Sequence, residues 1–227
     1  MGSRVEDAGS YQYLLNGVPM DIAESWRRRG RAPGEWSISS QRSAGGVEIT
    51  VEASVVAGLV TAFVVAWQDK AITLQADYTL LANRVCVERS RNGCDSESLD
   101  IPLHNDRPAP LLSPLMRIFA GPLIAQLLDR KGRGEVLVPA IGDPGAAQTL
   151  LTPLLSERSA RVVEDNVMLA SDGLSRSCRL CEYQGDQYGP GTQFWLDEDN
   201  LLLRYRWQQS TQQQWDVWLR RDQGSQQ

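Results

Sequence analysis

Val47-Glu-Ile-Thr-Val-Glu-Ala53, Leu59-Val-Thr-Ala-Phe-Val-Val-Ala-Trp67 and Ile72-Thr-Leu-Gln-Ala-Asp-Tyr-Thr-Leu80 decide the fold class of this 227-residue chain. In the first and third stretches apolar and polar residues alternate with a period of two, the pattern of a strand with one buried face. The middle stretch is nearly all apolar, so that strand is buried on both faces or lines a cavity. Gln68-Asp69-Lys70 is too short for anything but a turn. Connections this short imply an antiparallel meander, because parallel strands need long crossovers.

The pattern extends in both directions. Tyr11–Leu15 and Trp36–Ser40 precede the meander with the same period, Arg84–Arg89 follows it, and Asn92-Gly93 is a strong turn signal. Near the C-terminus, Arg161–Ala170 reads as strand turning at Asp165-Asn166, followed by a strand at Ser177–Tyr183. Phe194–Leu196 and Leu201–Trp207 form a hairpin around Asp197-Glu-Asp-Asn200, and Trp215–Leu219 pairs back onto it. Between these halves the sequence changes character. Ser113-Pro114, Asp143-Pro144 and Thr152-Pro153 resemble helix starts, with an N-cap followed by Pro at the first helical position. Gly121-Pro122 predicts a kink or a restart of the helix, and Lys131-Gly132 a stop. The expectation is a mainly β protein: a single strongly curved antiparallel sheet, β-roll or half-barrel, with two or three short helices inserted between about 113 and 158. One domain spans 11–220, with residues 1–10 and 221–227 as flexible ends.

Composition narrows the function. Lys+Arg number 23 and Asp+Glu 28, a net charge of −5, which disfavours a nucleic-acid binder that must neutralise phosphates. Four Cys do not make a disulfide scaffold at this length. Cys178-Arg-Leu-Cys181 has zinc-knuckle spacing, but on a strand positions three apart face opposite ways. Cys86 and Cys94 do not supply a second close pair. No metal and no cofactor are expected. Neither a phosphate loop, a dinucleotide fingerprint nor HExxH occurs. The start carries no secretory signal pattern and no stretch reads as a membrane span, so a reducing cytoplasm is the expected location.

Three residue groups bear on chemistry. His104, in Leu103-His-Asn-Asp106, is the single histidine and the only candidate general base, with Asp100 or Asp106 as partner. Trp26-Arg-Arg-Arg-Gly-Arg31 is the one basic run and reads as a solvated turn or an anion contact. Six of the seven Trp lie in or beside strand-like segments. A curved sheet with an apolar helix laid into it gives either a filled core or a lidded apolar pocket.

Tyr11-Gln-Tyr-Leu-Leu-Asn-Gly17, Trp67 with Ala76–Leu80 and Arg84–Glu88, and the final hairpin resemble the curved-sheet lipid carriers. These are the lipoprotein-carrier half-barrels and the glycolipid-binding spiral β-roll family. That resemblance implies an apolar or lipid-like ligand inside the sheet. The chain is therefore expected to be a non-enzymatic binding protein whose apolar small molecule or lipid lies between the sheet and the central helix. Phe63, Trp67, Phe119, Leu123 and Trp195 would line that site. A protein–protein interaction module with a solid core is one alternative, and a hydrolase-like enzyme using His104 another.

Overall fold

The computed structural model describes residues 6–93, 95–104, 106–142, 147–171, 174–185 and 187–221. Eight strands come first: β1 (Glu6–Leu15), β2 (Val18–Ala32), β3 (Glu35–Ala44), β4 (Val47–Val56), β5 (Leu59–Gln68), β6 (Thr73–Leu80), β7 (Arg84–Arg91) and β8 (Asp95–Pro102). The short β9 (Leu111–Leu112) leads into a single 3₁₀ turn (Arg117–Phe119) and helix α1 (Ala120–Asp129). Then follow β10 (Arg133–Pro139), β11 (Pro153–Ser171), β12 (Leu174–Gln184), β13 (Gln193–Leu196), β14 (Leu202–Ser210) and β15 (Gln213–Arg221).

All fifteen strands belong to one sheet, in the order β8-β7-β6-β5-β4-β3-β2-β1-β15-β14-β13-β12-β11-β10-β9. Every pairing is antiparallel except the two-residue β9–β10 pairing. The first eight strands run outward from β1, the last seven run back toward it, and β1 joins β15 at the centre. Three loops of the first half are two-residue turns with both residues at positive φ: Asn16 (51°) with Gly17 (81°), Gly45 (58°) with Gly46 (82°), and Ala57 (50°) with Gly58 (79°). Their twist suits a right-handed hairpin, which is why each strand folds directly back on its predecessor. The sheet curls until β9, at one end, packs against β5 in the other half. Two hydrogen bonds tie this closure: the Tyr78 hydroxyl donates to the Leu151 carbonyl at 2.6 Å, and Arg89 Nε to the Leu150 carbonyl at 2.8 Å.

The single curved sheet agrees with the sequence reading, but the helical insertion does not. Among the described residues there is one α-helix, not two or three. Thr152-Pro153 starts a strand: Pro153 is the first residue of β11, where its missing N–H removes least from the ladder. Asp143-Pro144 lies outside the described residues. Gly121-Pro122 lies where the 3₁₀ turn gives way to α1, a restart rather than a kink, and Pro122 falls in the first turn, whose N–H groups have no intrahelical partner. Gly121 serves another need: a Cβ there would lie 1.9 Å from the Asn200 carbonyl oxygen, so the helix touches the β13–β14 turn backbone to backbone. The predicted stop at Lys131-Gly132 holds. Gly132 N–H bonds the Leu127 carbonyl at 2.8 Å and Lys131 N–H that of Leu128 at 3.1 Å, closing the helix with a Schellman motif.

Three further differences concern strands. β2 crosses the basic run that reads as a turn. β1 begins at Glu6, inside the expected flexible end. Arg161–Ala170 does not reverse at Asp165-Asn166: β11 continues through it, with register irregularities from Val162 to Val167 and Asn166 at φ 60°. Residues 222–227 lie outside the described residues.

Alternation sorts side chains between the two faces. On the inner face, paired positions Ile38, Ala53, Phe63, Tyr78 and Val87 form one row across five strands, and all are buried. Leu123, Ile124 and Leu127, spaced i, i+1 and i+4, turn one face of α1 into the curl against β10, β11 and β5.

Candidate functional site

The interior is not filled throughout. Beside α1 lies a cleft of two adjoining compartments. The larger, about 550 Å³, is lined on one side by Met116, Leu123 and Ile124 and on the other by Tyr183, Tyr188 and Phe194. The smaller, about 420 Å³, is lined by Ile49, Trp67, Tyr205, Trp207 and Trp215. Arg42, Arg117, Ile141 and Gln187 border both compartments and form the waist between them. Both volumes fall within the ~300–1,000 Å³ of small-molecule sites.

The aromatic wall follows from strand register. Phe194 on β13, Tyr205 on β14 and Val217 on β15 are direct cross-strand neighbours, and Tyr13 on β1 continues the row. Tyr188 meets Phe194, Tyr205 and Trp207 edge-on, with ring centroids 5.8, 6.2 and 5.3 Å away. Edge-to-face rings favour this spacing.

The waist is charged. Glu24 is almost wholly buried; its carboxylate accepts the Tyr13 hydroxyl and, at 2.6 Å, the backbone N–H of Arg117. The Arg117 guanidinium lies 4.9 Å from the centre of the Tyr205 ring and donates to the Tyr188 hydroxyl at 2.8 Å. Arg42 is the direct cross-strand neighbour of Glu24. Burial raises the Tyr13 phenol well above its ordinary range, and the Glu24 charge adds to this. Burial alone would lower Arg117; Tyr188, Tyr205, Tyr13 and Glu24 outweigh it and hold the guanidinium charged.

The five ligand residues expected from the sequence do not come together. Trp67 and Leu123 line the cleft, one in each compartment. Phe63 lies outside it, stacked on Tyr78 at 4.4 Å. Phe119 is buried beside a separate cavity of about 110 Å³. Trp195 belongs to the row Trp195–Arg204–Trp218, on the face opposite Phe194. There the Arg204 guanidinium lies 4.8 and 4.1 Å from the two indole rings and bonds both oxygens of Asp216. The enzyme alternative loses its centre. His104 is exposed, its side chain pairs with no acid among the described residues, and Asp100 is paired with Arg84 at 3.3 Å.

Arg27 and Arg29 of the basic run point outward, and both pair with Glu6, at 3.2 and 3.4 Å. With Arg31 they border a shallow trough on the outer face, about 450 Å³, that also carries Glu52 and Asp77. Its mixed, solvated charges favour neither sign of ligand. Cys178 and Cys181 are both buried free thiols on opposite faces of β12, as their spacing requires, and Cys86 is free as well.

Sequence reasoning missed Arg42, Arg117, Glu24 and Tyr188. One signal was visible: Arg117 interrupts Leu115-Met-Arg-Ile-Phe-Ala120, and a charge inside an apolar run needs a buried partner.

No family model matches the chain, and no curated protein matches it. Among solved structures it is similar to the beta-barrel-like protein of domain of unknown function DUF1849 from Brucella abortus. The two share 7% identity with a TM-score of 0.50, over 96% of this chain and 98% of that one. The likeness shows a barrel-like β fold at the scale of the whole chain. It does not extend to a glycolipid-binding family.

Proposed function

We propose that this protein binds an apolar or lipid-like ligand in the interior cleft, between the curved sheet and α1. One observation carries the reading: two adjoining compartments, each walled mainly by apolar and aromatic side chains, lie within a sheet whose other inner surfaces are closely packed. Each methylene moved from water into such a site gains about 0.8 kcal/mol. The exposed, unpaired His104 and the lack of any other imidazole favour binding over His-based catalysis.

Native mass spectrometry of freshly purified protein, with organic extraction of the same sample, tests this. A co-purifying or exchangeable amphiphile is expected, together with enhancement of a hydrophobic dye that the amphiphile competes away. Ligand-free protein that also leaves the dye unchanged would defeat the proposal. That result would favour the interaction module, for which β11 supplies the specific observation: Leu154, Leu155, Val162, Val163 and Met168 are all exposed along it. None of the described helices is long and apolar enough to cross a membrane.

A further inference from the structure

Resting on that reading, we propose that the ligand is a single-chain amphiphile with one anionic head group, carboxylate or phosphate. Arg42 and Arg117 hold the head group at the waist, and the apolar chain occupies an adjoining compartment.

Placement comes first. Arg42 reaches the waist from β3, and Arg117 reaches it from the turn that opens α1. Both border the two compartments at once. A group held there can send its chain into either compartment without carrying charge into an apolar wall.

Charge comes second. Neither guanidinium lies within ion-pair distance of a carboxylate among the described residues, whose ion pairs lie elsewhere. Glu24, buried behind the waist and lining neither compartment, is the neighbouring acid, and its two oxygens already accept the Tyr13 hydroxyl and the Arg117 backbone N–H. Two guanidiniums therefore face one carboxylate that is engaged elsewhere. Arg42 and Arg117 are both half-buried, and an anion bound between them would supply the second counter-charge that Glu24 alone does not.

Hydrogen bonding comes third. Of the Arg117 donors, one Nη bonds Tyr188, while Nε is buried with no partner within the protein. The indole N–H of Trp67, in the wall of the smaller compartment, is likewise buried and unpartnered. The planar guanidinium fork suits a carboxylate or phosphate held through two parallel bonds. Arg158, the third arginine of the larger compartment, bonds the Tyr183 hydroxyl and does not border the waist.

The test uses four probes with the same twelve-carbon chain, each below its micelle concentration: dodecanoate, dodecyl phosphate, dodecanol and dodecyltrimethylammonium. Affinity for the full chain is read from tryptophan fluorescence and calorimetry, since Trp67, Trp207 and Trp215 line the smaller compartment. One or both anions should bind at least about tenfold more tightly than dodecanol, in line with hydrogen bonds to charged groups. The ammonium should bind more weakly than dodecanol, and added salt should shrink the anion preference. In R42Q, with folding checked by circular dichroism, the ratio of anion to alcohol affinity should fall toward one. Whichever anion shows the larger ratio identifies carboxylate or phosphate. Equal binding of anion and alcohol by the native protein overturns this inference and leaves the apolar-ligand reading intact. So does a ratio that R42Q leaves unchanged. Failure of all four probes to bind overturns that reading itself.

Discussion

The two flanks of the sheet use the same antiparallel pairing to opposite ends. On β4 to β7 the inward positions are mostly Val, Ile, Ala and Leu. Their single large aromatic contact, Phe63 on Tyr78, is a flat stack at 4.4 Å. Val65, Leu74, Ala76, Tyr78, Val85 and Val87 are all fully buried. On β12 to β15 the inward positions include Tyr183, Phe194, Tyr205, Trp207 and Trp215 beside Cys181 and Val217, and with Tyr188 of the β12–β13 loop the rings meet mainly edge-on. The Tyr188 hydroxyl accepts from Arg117 and that of Tyr183 from Arg158, while Tyr13 on neighbouring β1 donates to Glu24. Branched aliphatic side chains interdigitate and exclude space. Rings with polar tips bring hydrogen-bonding groups to the inner face. The packed flank therefore serves mainly as scaffold, lending Ile49 and Trp67 to the cleft, and the aromatic flank supplies most of the rest of the proposed site's wall.

Substitution should separate the two. Phe63→Ala removes the stack at the centre of the packed row, and a loss of about 3–5 kcal/mol is expected in urea unfolding. Tyr188→Phe on the other flank removes only a hydroxyl beside the cleft. It should cost about 1 kcal/mol. Equal losses would mean that the aromatic flank is as solid as the other.

Gly121→Ala probes the join between them. Its Cβ would meet the Asn200 backbone oxygen at 1.9 Å, so helix or turn must shift, at about 2–3 kcal/mol. Gly189→Ala, with open space around its Cβ position, should stay within about 0.5 kcal/mol. If both were tolerated, α1 would not be pinned against the β13–β14 turn.

The smallest effect is expected from pH. Cys181 shares the aromatic row through Phe194, and burial pushes its thiol up from an ordinary 9.0 to about 11. Between those values the unfolded chain has lost a proton that the folded chain keeps. Stability is thus untouched by this group below about pH 9 and falls as pH rises toward 11. Alkaline unfolding curves of the native protein and Cys181→Ala should diverge in that window. In the native state the thiol should resist alkylation at pH 8, and rapid modification there would show that this flank opens to solvent.

Much of this was readable in advance because two-residue periodicity is local. The strands from Val47 to Leu80, the final hairpin and their antiparallel pairing follow from apolar patterning and turn residues alone. β2 was hidden because two of its inward positions, Glu24 and Arg28, are charged, which breaks the pattern that marks a strand. β8 is an edge strand with a polar sequence, and it gives no hydrophobic signal either. The proline signals near 153 were ambiguous because Pro is as acceptable at the first residue of a strand as at the first of a helix.

The site was half legible. Trp67 and Leu123 could be picked as large apolar residues on the right elements. Phe63, Phe119 and Trp195 have the same credentials, and only packing sent them elsewhere. By itself, then, the sequence determined which segments become strands, that they pair antiparallel, and that an apolar helix must lie against them. Tertiary structure alone decided that Glu24, Arg42 and Arg117, from distant parts of the chain, meet at one waist. The physical reason is that periodicity records which face a residue occupies. How far a sheet curls, and which inward residues then meet across the interior, depends on the register and twist of all fifteen strands together.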